Sequence, residues 1–140
     1  MYSLLSGFYH YLFQKPTYKV LIIGLDGAGK TTLLEQVKKQ EGQKSMNLEK
    51  IPPTVGLNIT KVEKRNAEFV FWDVGGQMVL RKIWDKYFAE CNAIVFVIDG
   101  SDQIRFDEVK ETVGRLYDPD NPTDLIEKPL LFLLNKSDSP

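Results

Sequence analysis

Three groups of residues, far apart in the chain, have the types and spacing for phosphate and nucleobase chemistry. Gly24-Leu25-Asp26-Gly27-Ala28-Gly29-Lys30-Thr31 fits G-x-x-x-x-G-K-[ST] without a mismatch, and Thr32 follows it. Glycines in such a loop let successive backbone N–H groups surround an anion at a helix start. Lys30 is then placed for the β- and γ-phosphates and the Thr31 hydroxyl for Mg²⁺. Asp73-Val74-Gly75-Gly76-Gln77 offers a carboxylate suited to hold Mg²⁺ through water, a glycine whose N–H can approach a terminal phosphate, and an amide placed to orient an attacking water. Asn135-Lys136-Ser137-Asp138 reads as N-K-x-D. The Asp138 carboxylate can accept hydrogen bonds from N1 and N2 of guanine, and adenine offers no such pair of donors.

Each group has a plainer reading alone: a glycine-rich turn, an ordinary turn, four common residues met by chance. Their order makes the signal specific. Between the first two lies Ile51-Pro52-Pro53-Thr54-Val55-Gly56-Leu57. The Thr54 hydroxyl could join Mg²⁺ and its N–H the γ-phosphate, while the paired prolines keep the approach extended. By itself that stretch would be a rigid linker.

These residues need strands that end at one rim. The apolar runs predict strands over 18–24, 57–64, 67–73, 93–99 and 129–135, with 57–64 and 67–73 an antiparallel hairpin turning at Lys64-Arg65-Asn66. Helices are expected over 3–14, 30–40 and 103–116, with a short one around 78–88. The fold class is α/β: a P-loop NTPase with a mostly parallel sheet, helices on both faces, and its site at the carboxyl ends of the parallel strands. With 140 residues, 43% hydrophobic and 26% charged, the chain has the apolar content for one core. A formal net charge of −1 gives no reason to expect nucleic acid as a partner. Cys91 is the only cysteine, which excludes an intrachain disulfide, suits a reducing compartment and reads as a small buried hydrophobe.

The first sixteen residues form a separate segment. Leu4, Leu5, Phe8, Tyr9, Leu12 and Phe13 share a broad helical face, with Ser3, Ser6, His10 and Gln14 on the other. The run is too short to span a bilayer and is a poor secretory signal. Two readings stay open: a helix packed on the domain, or one that inserts Phe8, Leu12 and Phe13 into a membrane surface. Trp84, Tyr87 and Phe88 are divided in the same way between core packing and partner anchoring. His10 receives no role.

Taken together, GLDGAGKTT (24–32), PTVGLN (53–58), WDVGGQ (72–77), LRKIWDKYF (80–88), IVFVIDGSD (94–102) and NKSD (135–138) resemble small GTPases of the ADP-ribosylation-factor (Arf and Arf-like) group over essentially the whole chain. The longer interval from Lys30 to Thr54, with extra residues around Glu41 to Lys50, and the Met1-Tyr2 start, which excludes N-myristoylation, are similar to the Arf-related protein subgroup of Golgi GTPases. There the resemblance implies an acetylated N-terminal methionine.

The resemblance further implies an N-terminal amphipathic helix (1–16) on a G domain (17–140), a GTP/GDP switch using Mg²⁺, and GTP hydrolysis with Lys30 neutralising charge and Gln77 placing water. The nucleotide-binding set it implies is Gly24, Asp26, Gly27, Ala28, Gly29, Lys30, Thr31, Thr32, Thr54, Gly76, Asn135, Lys136 and Asp138, with Thr31, Thr54 and Asp73 for the metal. The hairpin is expected to slide in register with GTP and release the helix. Asp26, standing where Ras-like relatives have glycine, is expected to crowd the γ-phosphate. With no arginine assigned to the transition state, turnover is expected to be slow alone and dependent on a GTPase-activating protein. An exchange factor and effectors such as coat or tether proteins complete the expected partners, on the cytoplasmic face of Golgi or other endomembranes. Complete members continue for another strand and one or two helices, so the domain is expected to be cut short, with weakened stability and nucleotide affinity. The alternative functional reading is a non-catalytic nucleotide-binding interaction module or a truncated inactive fragment.

Overall fold

The computed structural model describes residues 2–48, 51, 54, 56–120 and 124–138. Pro52, Pro53 and Val55 of the proline-rich loop, and Glu49 and Lys50 of the long interval before it, lie outside the described residues. Helix α1 (Tyr2–Phe13) precedes β1 (Thr17–Ile23), α2 (Lys30–Gln40), β2 (Leu57–Lys64) and β3 (Ala67–Val74). A 3-10 segment, Met78–Ile83, leads into α3 (Asp85–Phe88), followed by β4 (Ala93–Asp99). A second 3-10 turn, Gln103–Arg105, leads into α4 (Phe106–Leu116), and β5 (Leu130–Asn135) follows a short 3-10 turn at Asp124–Glu127.

The strands run in the order β2-β3-β1-β4-β5, with β2 antiparallel to β3 and every other neighbouring pair parallel. This is the expected mixed sheet. Alternation along the strands divides its apolar residues between two faces. Leu21, Ile23, Trp72, Val74, Ile94 and Phe96 pack with Trp84, Phe88 and Leu116 on one side. Ile22 and Val97 pack with Ala28 and Leu34 on the other. Burial on both faces is why β1 and β4 are continuous apolar runs, and each fully buried aliphatic or Phe side chain contributes roughly 1.5–3 kcal/mol.

The expected short helix over 78–88 is split instead into 3-10 and α pieces. Trp84 Nε1–H reaches back to the Gly75 carbonyl at 3.2 Å and Arg81 Nε–H to the Gly76 carbonyl at 2.9 Å, which ties the segment to the backbone just before it. Trp84 and Phe88 are 1% and 0% exposed, so these two belong to the core and not to a partner surface. Tyr87 packs edge-on against Trp72, with ring centroids 5.4 Å apart. Cys91 is buried, as expected.

Helix α1 buries none of its residues. Leu4, Leu5, Phe8, Tyr9, Leu12 and Phe13 are all exposed, so the packed-helix reading is not the arrangement seen. Just after it, Lys15 pairs with Glu63 of β2 at 3.2 Å, both side chains exposed. At the far edge of the sheet, Leu131, Phe132 and Leu134 of β5 are exposed as well.

Candidate functional site

The parallel strands end at a common rim, and the loops leaving β1, β3 and β5 enclose an open cleft of about 560 Å³ there. That volume is within the range of small-ligand sites. Asp26, Gly27, Gly29, Lys30, Thr31, Thr32, Thr54, Gly76, Gln77, Asn135, Lys136 and Asp138 all border it. Of the expected set, Gly24 and Ala28 shape the loop behind it through backbone contacts.

The loop after β1 needs glycine where its backbone turns left-handed. Gly29 has φ +94°, and a Cβ there would collide with the Asn135 side-chain amide. Gly76 is excluded from carrying a side chain for another reason: a Cβ would fall on the Gly24 carbonyl oxygen and lie 2.5 Å from the Asp26 nitrogen. The two sequence motifs therefore touch, backbone to backbone. Lys30 is 6% exposed and donates to the Gly24 and Leu25 carbonyls at 3.0 and 2.9 Å. Burial brings its ammonium down to about 8, with Asp73 pulling the other way.

Thr31, Thr54 and Asp73 converge as an oxygen cluster. Thr31 Oγ1 donates to Asp73 Oδ2 and lies 2.5 Å from Thr54 Oγ1, which is 3.3 Å from the same carboxylate oxygen. Two hydroxyl hydrogens cannot bridge three oxygen–oxygen approaches, so one pair of these oxygens meets with no hydrogen between them. Asp73 is 0% exposed and its Oδ1 has no hydrogen-bond partner among the described residues. Burial raises its pKa, against hydrogen bonds from Thr31 and Thr54 and the charge of Lys30. An all-oxygen donor set with an orphaned carboxylate oxygen fits a hard cation such as Mg²⁺. Among the described residues no group of three His, Cys, Asp or Glu offers a rival metal site.

At the other end, Asn135 Nδ2–H donates to the Ala28 carbonyl at 2.9 Å. Lys136 Nζ–H donates to the Gly27 carbonyl at 2.8 Å and to Asp99 Oδ2 at 3.0 Å. Asp138 stays exposed on the rim. Asp99, which holds Lys136, was not foreseen from sequence, since nothing local marks a contact across 37 positions.

Asp26 borders the cleft with its carboxylate held by two arginines. Its Oδ1 accepts from Arg105 Nη2 at 2.8 Å, Arg105 Nη1 holds its carbonyl at 2.8 Å, and Arg81 Nη2 stands 3.7 Å from the carboxylate. The Arg105 hydrogen bond holds this carboxyl below its ordinary range, despite partial burial. The side chain is thus drawn toward the arginines. Arg81, Arg105 and their shared partner Glu108 were also missed; only the i,i+3 spacing of Arg105 and Glu108 was visible in advance.

The sequence matches the model of the ADP-ribosylation factor family over residues 5–140. It is 49% identical over 140 residues to ADP-ribosylation factor-related protein 1 of Rattus norvegicus, covering 99% of this chain and 68% of that protein. Similarity to ADP-ribosylation factor-like protein 3 of Saccharomyces cerevisiae is 40% over 139 residues, covering 99% of this chain and 69% of that protein. Among solved structures, the Arl6 (BBS3) small GTPase of Trypanosoma brucei, with the nucleotide analogue GppNp bound, aligns with a TM-score of 0.71 at 31% identity, over 89% of this chain and 70% of that one. The mammalian SRP receptor aligns with a TM-score of 0.65 at 24% identity, which is a likeness of fold alone.

Proposed function

Because the chain belongs to the ADP-ribosylation factor family of small GTPases, we propose that it is a guanine-nucleotide switch that hydrolyses GTP to GDP in the cleft described above. The observation that carries this reading is the convergence of three separated groups on one cleft: the P-loop, the Thr31–Thr54–Asp73 oxygens, and the Asn135–Asp138 turn tied to the P-loop backbone. The GppNp bound by the Trypanosoma relative supports the choice of ligand.

Each residue then has a task. The loop N–H groups cradle the phosphates, and Lys30 exchanges the Gly24 and Leu25 carbonyls for phosphate oxygens. Thr31, Thr54 and, through water, Asp73 would hold Mg²⁺, which would supply positive charge against the charge building on the phosphate oxygens. Gly76 brings its N–H to the γ-phosphate, and Gln77 on the cleft wall orients water. Asp138 reads the guanine edge. Arg81 and Arg105 are engaged by Glu108 and Asp26, which supports slow turnover until a GTPase-activating protein contributes a cation.

The exposed apolar face of α1 supports peripheral attachment to Golgi or other endomembranes in the GTP state, with the helix stored on the domain in the GDP state. Storage and release would accompany a slide of β2 against β3, whose register here pairs Leu57 with Val74 and Lys64 with Ala67. Such a slide must move by an even number of residues, because a one-residue slip would turn buried Thr60 and Val62 outward. An exchange factor and coat or tether effectors would read the same loops. A short amphipathic helix by itself binds lipid weakly, so one of these partners would add to membrane attachment.

The test is Mg²⁺-dependent binding of GDP, GppNp and ADP, followed by hydrolysis of pre-bound GTP by wild type and Gln77→Leu. The reading expects guanine nucleotides to bind far better than ADP and Gln77→Leu to slow turnover. Equal affinity for ADP, or turnover indifferent to Gln77, overturns it.

A further inference from the structure

Beside the nucleotide cleft, one cluster of charged side chains ties together the segments the reaction must coordinate. Arg81 stands four residues after Gln77 with its side chain 13% exposed. Its Nε–H donates to the Gly76 carbonyl at 2.9 Å, its Nη2–H to Glu108 Oε1 at 2.7 Å and its Nη1–H to Thr112 Oγ1 at 3.5 Å. Glu108 and Thr112 are one turn apart on α4, and the Thr112 hydroxyl donates to the Glu108 carbonyl at 2.7 Å. A single planar guanidinium thus spans from α4 to the peptide that joins Gly76 to Gln77.

Holding that carbonyl fixes the plane of the Gly76–Gln77 peptide, and with it the direction in which Gln77 departs. From the other side, Gly76 is pressed against the P-loop, where any Cβ would strike the Gly24 carbonyl. It is therefore wedged between the loop that holds phosphate and the Arg81 side chain. Glu108 serves both partners: Arg105 Nε–H donates to its Oε2 at 2.9 Å, while the same arginine grips Asp26 of the P-loop. One carboxylate on α4 is the common anchor for the phosphate loop and for the segment that carries Gln77.

Resting on the GTPase reading above, we propose that Arg81, anchored on Glu108, is a positioning residue that sets Gln77 through the Gly76 carbonyl. Lysine cannot replace it, because a single ammonium lacks the flat fork that reaches carbonyl, carboxylate and hydroxyl together. A purely structural role is the alternative. It would lower stability and nucleotide affinity together and would act independently of Gln77.

The experiment compares wild type, Arg81→Lys, Glu108→Gln, Gln77→Leu and Arg81→Lys/Gln77→Leu in the full chain, for GDP affinity, thermal unfolding and hydrolysis of pre-bound GTP. Arg81→Lys is expected to bind GDP as wild type does and to hydrolyse bound GTP about 10- to 100-fold more slowly, the loss typical of a reacting group misplaced by about 1 Å, and Glu108→Gln, which also releases Arg105, is expected to slow hydrolysis at least as much. Adding Arg81→Lys to Gln77→Leu is expected to slow turnover no further, since the two act as a unit. Wild-type turnover in Arg81→Lys, an additive loss in the double variant, or a loss that merely tracks GDP affinity in both single variants overturns the Arg81 assignment while leaving the GTPase reading intact. Wild type that binds no guanine nucleotide overturns both.

Discussion

Replacing Asp73 by Asn separates what this carboxylate costs the fold from what it provides to a metal. The side chain is 0% exposed, Oδ2 accepts from Thr31 and Thr54, and Oδ1 has no partner among the described residues. An amide oriented with its oxygen toward the two hydroxyls keeps both hydrogen bonds and leaves its NH₂ unpaired. An unpaired buried amide costs about 1–3 kcal/mol and an unpaired buried charge more. Loss of the attraction to Lys30 offsets part of that difference. The metal-free variant is therefore expected to be as stable as wild type or more stable, by about 0–2 kcal/mol. With GDP held constant, Mg²⁺ at about 100 times its dissociation constant should add about 2.7 kcal/mol to wild type and nothing to Asp73→Asn. At roughly 4 °C per kcal/mol for a chain of this size, wild type should gain about 10 °C between EDTA and Mg²⁺ in a thermal melt. An Asp73→Asn protein that melts well below wild type in EDTA, or that keeps the full Mg²⁺ gain, would refute the account of the oxygen cluster.

Two further outcomes follow from charge and exposure. Arg105 first, and Arg81 after it, hold the Glu108 carboxyl at about 2 against an ordinary 4.5. A depressed carboxyl stabilises the fold above its unfolded value and loses that contribution as pH falls through its folded value, so acid unfolding curves should slope between about 4.5 and about 2, and Glu108→Gln should flatten that slope. Because α1 buries no residue, deleting residues 1–13 should leave the unfolding free energy of the GppNp-bound protein within about 0.5 kcal/mol of wild type while abolishing flotation with lipid vesicles. A larger loss of stability in that form would mean that the helix stays packed on the domain in the GTP state.

What could be read in advance is what leaves a local trace. The β1 and β4 runs announce strands because both faces of the sheet are covered, and Gly24 to Thr31 announces its loop because the left-handed turn at Gly29 restricts the residue itself. The pairings that steer the site leave no such trace. Arg81 meets Glu108 across 27 positions and Arg105 meets Asp26 across 79, so neither period nor spacing links them. The Arg105 partner of Asp26 was invisible for the same reason. Glu35 is a similar case: it lies in the polar-looking stretch of α2 yet is 1% exposed, because the long loop folds back and donates the Met46 N–H to it at 2.7 Å. A helix face that looks solvated in sequence is buried by a segment of unusual length.

The N-K-x-D turn shows the same division inside one motif. Asn135 and Lys136 direct their side chains at the Ala28 and Gly27 carbonyls of the phosphate loop, and Lys136 also pairs with Asp99. Asp138 stays exposed at the cleft rim, with no such tie to the loop among the hydrogen bonds of the described residues. A base-reading carboxylate gives useful discrimination only if its distance from the phosphate loop is fixed, since guanine and the phosphates are parts of one molecule. The first two residues of the motif set that distance, and so they are bound to the loop that grips the phosphates. Losing Asn135 would therefore loosen both ends of the nucleotide together, whereas losing Asp138 would change the base preference and leave the phosphate grip as it is.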